Sequence, residues 1–268
     1  MEAEQQPDPN LPEAAQEARG ARIGNIPLRA VPANAITVLA LCMGLTGVRF
    51  AMGGVWENAL LCIVAAGILD GMDGRIARAL KGNTRFGAEL DSLSDVTAFG
   101  VAPALTIFLW SLHEAPKFGW VASIALAVCC ALRLARFNAR IDVEDQPHKS
   151  AGFNTGVPAP AGAGLALMPM FAWLVSGNDG FRQWYVMMPW MLLIAFLMIS
   201  NIATFSWGSI RLRRSVRLEA IAVIGLIGVA LITAPWYTLL AICMAYLATI
   251  PFSIMSYAKV KRARITPA

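Results

Sequence analysis

Apolar residues along this chain come in long blocks separated by short polar or charged breaks, with no repeat of fixed period. Eight blocks fall near 35–53, 57–79, 86–110, 118–137, 157–176, 184–205, 218–234 and 237–257. Each approaches the roughly 20 residues that a helix needs to cross a bilayer. Backbone polar groups in hydrocarbon must be satisfied within their own segment, so helices are the expected elements. The pattern predicts an all-α fold, a polytopic membrane helical bundle of about eight transmembrane helices filling one domain over 35–258.

The flanks differ in kind. Residues 1–20 mix Glu2, Glu4, Asp8, Glu13 and Glu17 with Pro7, Pro9 and Pro12, a composition too polar to pack and expected to be disordered. Residues 21–34 are basic and mildly apolar, suiting a juxtamembrane amphipathic segment on the inner membrane face. Residues 259–268 form a basic tail. With eight spans and both termini cytosolic, 19 of the 22 lysines and arginines fall on the cytosolic side. Only Arg49, Lys117 and Arg182 fall on the other, as the positive-inside rule requires.

Composition supports this reading and removes others. The 268 residues are 57% hydrophobic and 15% charged, and their mean hydropathy is +0.58. A soluble domain is nearer half apolar and about a quarter charged. The net charge of +5 reflects cytosolic retention of basic residues, so no nucleic-acid partner is expected. The five cysteines sit in apolar blocks without metal-ligand spacing. The two histidines, His113 and His148, fall in predicted loops, which leaves no basis for a histidine metal site or a Ser-His-Asp triad. The acidic, polar start has no secretory signal character. A multi-pass protein of the cell's inner membrane is expected.

Charges inside the second and third spans change the picture. A buried carboxylate in a membrane is costly and usually faces a functional cavity. Asp70 and Asp73 are spaced i,i+3, and Asp91 and Asp95 i,i+4, so each pair shares a helix face. The short turn near 81–84 folds the two spans antiparallel, bringing Asp73 and Asp91 to similar depth below the cytosolic surface. Four converging carboxylates repel unless they are protonated or bind cations. Oxygen-only ligands favour magnesium, manganese or calcium over zinc, and two such ions form the usual clamp for displacement at phosphorus. Gly74 permits close backbone approach, Arg78 can pair bidentately with a phosphate, and Thr84 offers a hydroxyl. The alternatives are an ion pathway or salt bridges to Arg75, Arg78 and Arg85.

The spacing weighs against these alternatives. The chain reads Asp70-Gly-Met-Asp73-Gly74-Arg-Ile-Ala77-Arg78, then eight residues, then Gly87-Ala-Glu-Leu-Asp91-Ser-Leu-Ser-Asp95. This resembles the complete signature D-x2-D-G-x2-A-R-x8-G-x3-D-x3-D of the CDP-alcohol phosphotransferase family. The resemblance implies two divalent cations, Mg2+ or Mn2+, held by Asp70, Asp73, Asp91 and Asp95. It further implies that Asp95 acts as base on the acceptor hydroxyl, and that Gly74, Arg78 and Thr84 contact the CDP-linked lipid. Asn34 and Thr37, in PANAIT, resemble the family's Pro-Asn-x-x-Thr entry to the nucleotide site, and a simple helix cap is the alternative. Family members also suggest a homodimer.

Outside the signature, IPLRAVPANAIT, FGAELDSLSDVTAFGVAPAL, LRLARFNAR and GFNTGVPAPAGAG resemble the serine-using bacterial membrane branch of that family, from about residue 26 to 165. The resemblance implies CDP-diacylglycerol and serine as substrates, within membrane lipid and with the site facing the cytosol. Glycerol 3-phosphate, an inositol compound or choline are alternative acceptors. A cation transporter is the rival from another class, but it predicts discontinuous helices and an internal repeat. Arg133 and Arg136, at the cytosolic end of the fourth span, can fork onto a serine carboxylate or serve as positive-inside anchors. Gly162 and Gly164 suit close helix packing. The tryptophans near span ends, including Trp56, Trp110, Trp120, Trp184 and Trp236, suit an interfacial belt.

Overall fold

A computed structural model describes residues 27–82, 84–139, 153–200, 202–205 and 217–265. The predicted tail 1–20, residues 21–26 of the juxtamembrane segment, the loop positions Arg140 and Lys149, the run 206–216 and the last three residues lie outside them. Eight helices run through the described residues and follow the eight apolar blocks. They are α1 (Val31–Met52), α2 (Trp56–Ala79), α3 (Arg85–Trp110), α4 (Pro116–Asn138), α5 (Ala159–Ser176), α6 (Trp184–Ile199), α7 (Arg217–Thr233) and α8 (Pro235–Ile265). The protein is a polytopic helical bundle.

Five stretches are long and apolar enough to cross a membrane: Leu28–Met52, Arg85–Trp110, Pro116–Asn138, Ala159–Ser176 and Pro235–Ser253. Helix α6 and the Ala222–Thr233 part of α7 are apolar but shorter. Helix α2 is long enough, about 36 Å at 1.5 Å per residue, but its second half carries Asp70, Asp73, Arg75 and Arg78. Outward-facing Leu39, Leu61, Val121, Leu192 and Phe196 are exposed, as lipid-facing residues should be. Leu60, Phe99, Ile107, Leu126, Met191 and Ile194 form part of the buried interior.

Small residues set the helix contacts. A Cβ on Gly47 would lie 3.0 Å from the Ala59 carbonyl oxygen, on Gly44 3.2 Å from Ala98 Cα, and on Gly100 3.1 Å from Cys130 Cβ. These approaches lock α1 against α2 and α3, and α3 against α4. Where lipid supplies no hydrophobic drive, such close packing is what holds helices together. Gly162 behaves as predicted, since a Cβ there would meet Met198 Sδ of α6 at 2.7 Å. Gly164 does not, because 3.5 Å to Cys243 Sγ is an ordinary contact.

Three features depart from the sequence expectation. The sixth span, predicted over 184–205, stops at Ile199, where Ser200 turns to an extended ψ of 159°. Ala203–Phe205 then forms a short strand, β2, antiparallel to β1 (Phe153–Thr155), with Asn154 opposite Thr204. Gly156 makes the clasp possible. It adopts φ +75°, its N–H reaches Ile202 O at 2.8 Å, and a Cβ would collide with the Met198 carbonyl oxygen at 2.7 Å. Secondly, α3 is π-helical over Val96–Val101. Pro103, two residues on, has no N–H to give the preceding turn, and π-turns inside helices recur at functional sites. Thirdly, Trp110 is fully buried rather than interfacial, edge-on to Trp173 at 5.6 Å.

Arg182 marks the end of the bundle away from the acidic residues. Its Nε donates to Trp110 O at 2.8 Å, and its guanidinium lies 5.9 Å from the Trp56 ring centroid. The start of α2, the end of α3 and the α5–α6 turn therefore meet there.

Candidate active site

The site begins where α2 ends. Leu80 closes that helix, Lys81 takes a left-handed φ of 50°, and Gly82 N returns to Ala77 O at 2.9 Å. Gly82 is buried against the preceding short 3-10 turn (Leu28–Ala30), and a Cβ there would clash with the Arg29 carbonyl. Thr84 then starts α3 as its N-cap, its hydroxyl accepting from Gly87 N at 3.0 Å. This tight reversal sets the two acidic helix faces against each other.

Asp70, Asp91 and Asp95 each direct a carboxylate oxygen into one cluster whose atoms lie within 4.8 Å of one another. Asp73 stands beside it. It is buried, its Oδ2 accepts the Thr37 hydroxyl at 2.6 Å, and Asp70 is a charged neighbour. The charged neighbours of Asp91 are Asp73 and Asp70, with Asp95 in the same cluster. All four predicted aspartates thus occupy one region, three converged and the fourth held by a hydroxyl. Glu89, on the same helix as Asp91, is exposed.

The donor set fits a hard divalent cation. Oxygens on one octahedral ion at about 2.1 Å are separated by up to about 4.2 Å, so side-chain rotation closes the 4.8 Å group onto an ion. Asp95 Oδ1 is moreover buried with no hydrogen-bond partner among the described residues. An acceptor left in that state is costly unless something binds it. The cluster can therefore hold a metal ion.

A cavity of about 280 Å³ opens beside the cluster, lined by Asp73 and Asp91 and, among others, Asn34, Thr37, Gly74 and Arg78. Thr84 and Gly87 complete its rim. The residues expected to contact the CDP-linked lipid and its nucleotide thus line one cavity. The cap alternative for Asn34 and Thr37 does not hold. The helix opens at Val31 without a side-chain cap, Asn34 Nδ2 is buried and unpartnered among the described residues, and Thr37 bonds Asp73. Gly87 gains a reason from the geometry, because a Cβ there would stand 2.9 Å from Asn34 Oδ1.

The two arginines of α4 part ways. Arg133 has Cys130, Asp95, Tyr246 and Arg136 as electrostatic neighbours, and its Nε is buried without a hydrogen-bond partner among the described residues. Arg136 instead points its Nη2 at Ser200 O, 3.4 Å away at the end of α6. Several supporting contacts have no local signal in the sequence. Ser94 Oγ donates to Thr37 O at 3.2 Å, Asn138 Nδ2 donates to Ser92 Oγ at 2.8 Å, and Tyr246 of α8 approaches Arg133 across the bundle.

An acidic cluster at this spacing beside a cavity lined by Asp73, Asp91 and Arg78 defines a class, and comparison with known proteins agrees. Residues 30–200 match the model of the CDP-alcohol phosphatidyltransferase family, and residues 216–251 match its second model, CDP-alcohol phosphatidyltransferase 2. The chain belongs to this family. Among its relatives, a Mycobacterium tuberculosis protein named CDP-diacylglycerol–serine O-phosphatidyltransferase is 38% identical over 225 residues, covering 83% of this chain and 78% of that one. Proteins of the same name from Helicobacter pylori and Methanocaldococcus jannaschii are 33% and 35% identical. They align with 63% and 62% of this chain, and with 69% and 70% of their own lengths.

Proposed function

We propose that this enzyme transfers the phosphatidyl group of CDP-diacylglycerol to L-serine, giving phosphatidylserine and CMP. The observation that carries the reading is the convergence of Asp70, Asp91 and Asp95 beside the cavity lined by Asp73 and Arg78, together with the shared name of the relatives. The lipid tails stay in the bilayer, while the nucleotide enters the cavity along Asn34, Gly74 and Thr84. Arg78 pairs with the diphosphate.

Asp70, Asp73, Asp91 and Asp95 would hold two divalent cations, magnesium or manganese, which when bound would neutralise the diphosphate and the charge that develops during transfer. Asp95 accepts the proton of the serine hydroxyl. The serine oxygen forms a bond to the β-phosphorus as the bond between that phosphorus and the oxygen of CMP breaks. Arg133, an electrostatic neighbour of Asp95, holds the serine carboxylate with its Nε, which has no hydrogen-bond partner among the described residues.

The protein lies in the inner membrane as eight spans with both termini and the site in the cytosol, and it works as a homodimer. The test of function is CMP release by purified protein given CDP-diacylglycerol and, separately, serine, glycerol 3-phosphate, inositol and choline. Serine-dependent release is expected. Release with glycerol 3-phosphate alone keeps the reaction class but overturns the acceptor, and no release with any acceptor returns the transporter reading. Reporters fused after Leu112, Gly180 and Pro235 should lie outside, and one after Gly82 inside.

A further inference from the structure

We propose that Thr37 is a positioning residue that ties the two acidic helices into register by a hydrogen bond to each. It is buried, and its hydroxyl lies 2.6 Å from Asp73 Oδ2 of α2 and 3.1 Å from its own helix at Ala33 O. A hydroxyl carries one proton and an ionised carboxylate only accepts, so the shorter contact is the donated one. The Thr37 carbonyl meanwhile accepts from Ser94 Oγ of α3 at 3.2 Å. Ser94 is buried and immediately precedes Asp95.

One residue of α1 thus touches α2 at an acidic side chain and α3 one position from another. Like charges at this distance push the two helices apart, and a two-armed strut on a third helix opposes that. With Oδ2 held by Thr37, the Asp73 carboxylate is fixed where it lines the cavity. Thr37 lines that cavity, but its hydroxyl is engaged with Asp73, so it acts through the carboxylate rather than on the nucleotide. The inference rests on the reading that Asp73 and Asp95 work on the diphosphate.

The test compares Thr37→Val, Thr37→Ser, Ser94→Ala and Asp73→Asn in purified full-length protein. Two quantities are read: Mn2+ binding without substrate, by electron paramagnetic resonance, and steady-state kinetics. Thr37→Val should weaken Mn2+ binding and lower kcat by about tenfold or more, the usual worth of a hydrogen bond to a charged group, with the KM for serine unchanged. Thr37→Ser should recover both to within roughly threefold. Ser94→Ala should weaken Mn2+ binding less, and its effect should not add fully to that of Thr37→Val, because the two share one junction. If Thr37→Val does not fold, Ser94→Ala decides: weakened Mn2+ binding upholds the strut and wild-type binding overturns it. Wild-type Mn2+ affinity in Thr37→Val, or a change confined to the KM for CDP-diacylglycerol, also overturns it. Full activity in Asp73→Asn would instead sink the proposed site itself.

Discussion

The sites we propose for nucleotide and for acceptor are built in different ways. On the proposed nucleotide side, α1, α2 and α3 present Asn34, Asp73, Gly74, Arg78, Thr84 and Asp91 around one cavity. Most of these come from a single helical hairpin whose tight turn is fixed by Gly82 and the Thr84 cap. On the side we propose for the acceptor, Arg133 comes from α4 and its electrostatic neighbour Tyr246 from α8, while Arg136 directs Nη2 at the end of α6. The first side is local in sequence and the second is assembled from distant segments. On the proposed reading, the transfer chemistry is written into one hairpin, whereas the choice of acceptor depends on how remote helices dock.

That contrast predicts unequal consequences of mutation. The largest belongs to the hairpin: Asp70→Asn or Asp91→Asn should lower phosphatidyl transfer by about a thousandfold, the scale seen when a group facing developing charge is removed. Each should also weaken dependence on added Mg2+ or Mn2+, and EDTA should silence the wild type until either ion is restored. Near-normal turnover of both variants at saturating metal would break the account of the hairpin.

On the acceptor side, Arg133→Ala should cost about ten- to a hundredfold in serine kcat/KM, corresponding to roughly 1.5–3 kcal/mol for a charge-assisted contact. The KM for CDP-diacylglycerol should barely move. Lysine should rescue poorly, because an ammonium cannot reproduce the guanidinium fork. A matched loss in the KM for CDP-diacylglycerol would show that the two sides are not separate.

Gly87→Ala should have the reverse signature at smaller size. A methyl 2.9 Å from Asn34 Oδ1 displaces that side chain, so the KM for CDP-diacylglycerol should rise by roughly three- to tenfold, within the range of a modest packing change. The KM for serine should not respond. The smallest effect is assigned to Arg136→Ala, at most about threefold in serine kcat/KM, since its Nη2 is directed at Ser200 O at the end of α6. If it exceeds the Arg133→Ala effect, the carboxylate pocket lies toward α6.

The same contrast explains what was legible in the sequence. Eight apolar blocks located the eight helices because hydrophobic length is a property of each segment alone. The aspartates were legible for a similar reason, since i,i+3 and i,i+4 spacing puts each pair on one face whatever the rest of the chain does. The β1–β2 clasp was not, because it depends on Phe153–Thr155 finding Ala203–Phe205 across two helices. Nor was the π-helical stretch after Asp95, the burial of Trp110 against Trp173, or the Ser94–Thr37 contact. Thr37 and Arg133 show the boundary well: their positions were marked in advance, but which atom each would face was decided by helices packed against them.

The most direct test follows the phosphorus. Purified protein would be given CDP-diacylglycerol labelled at the β-phosphate, unlabelled serine and Mg2+ or Mn2+, and the lipid products separated. The account predicts label in phosphatidylserine, one CMP released per labelled product, and no transfer without divalent cation or in Asp95→Asn. Label appearing in phosphatidic acid independently of serine, or in a glycerol 3-phosphate adduct but never in phosphatidylserine, would contradict it.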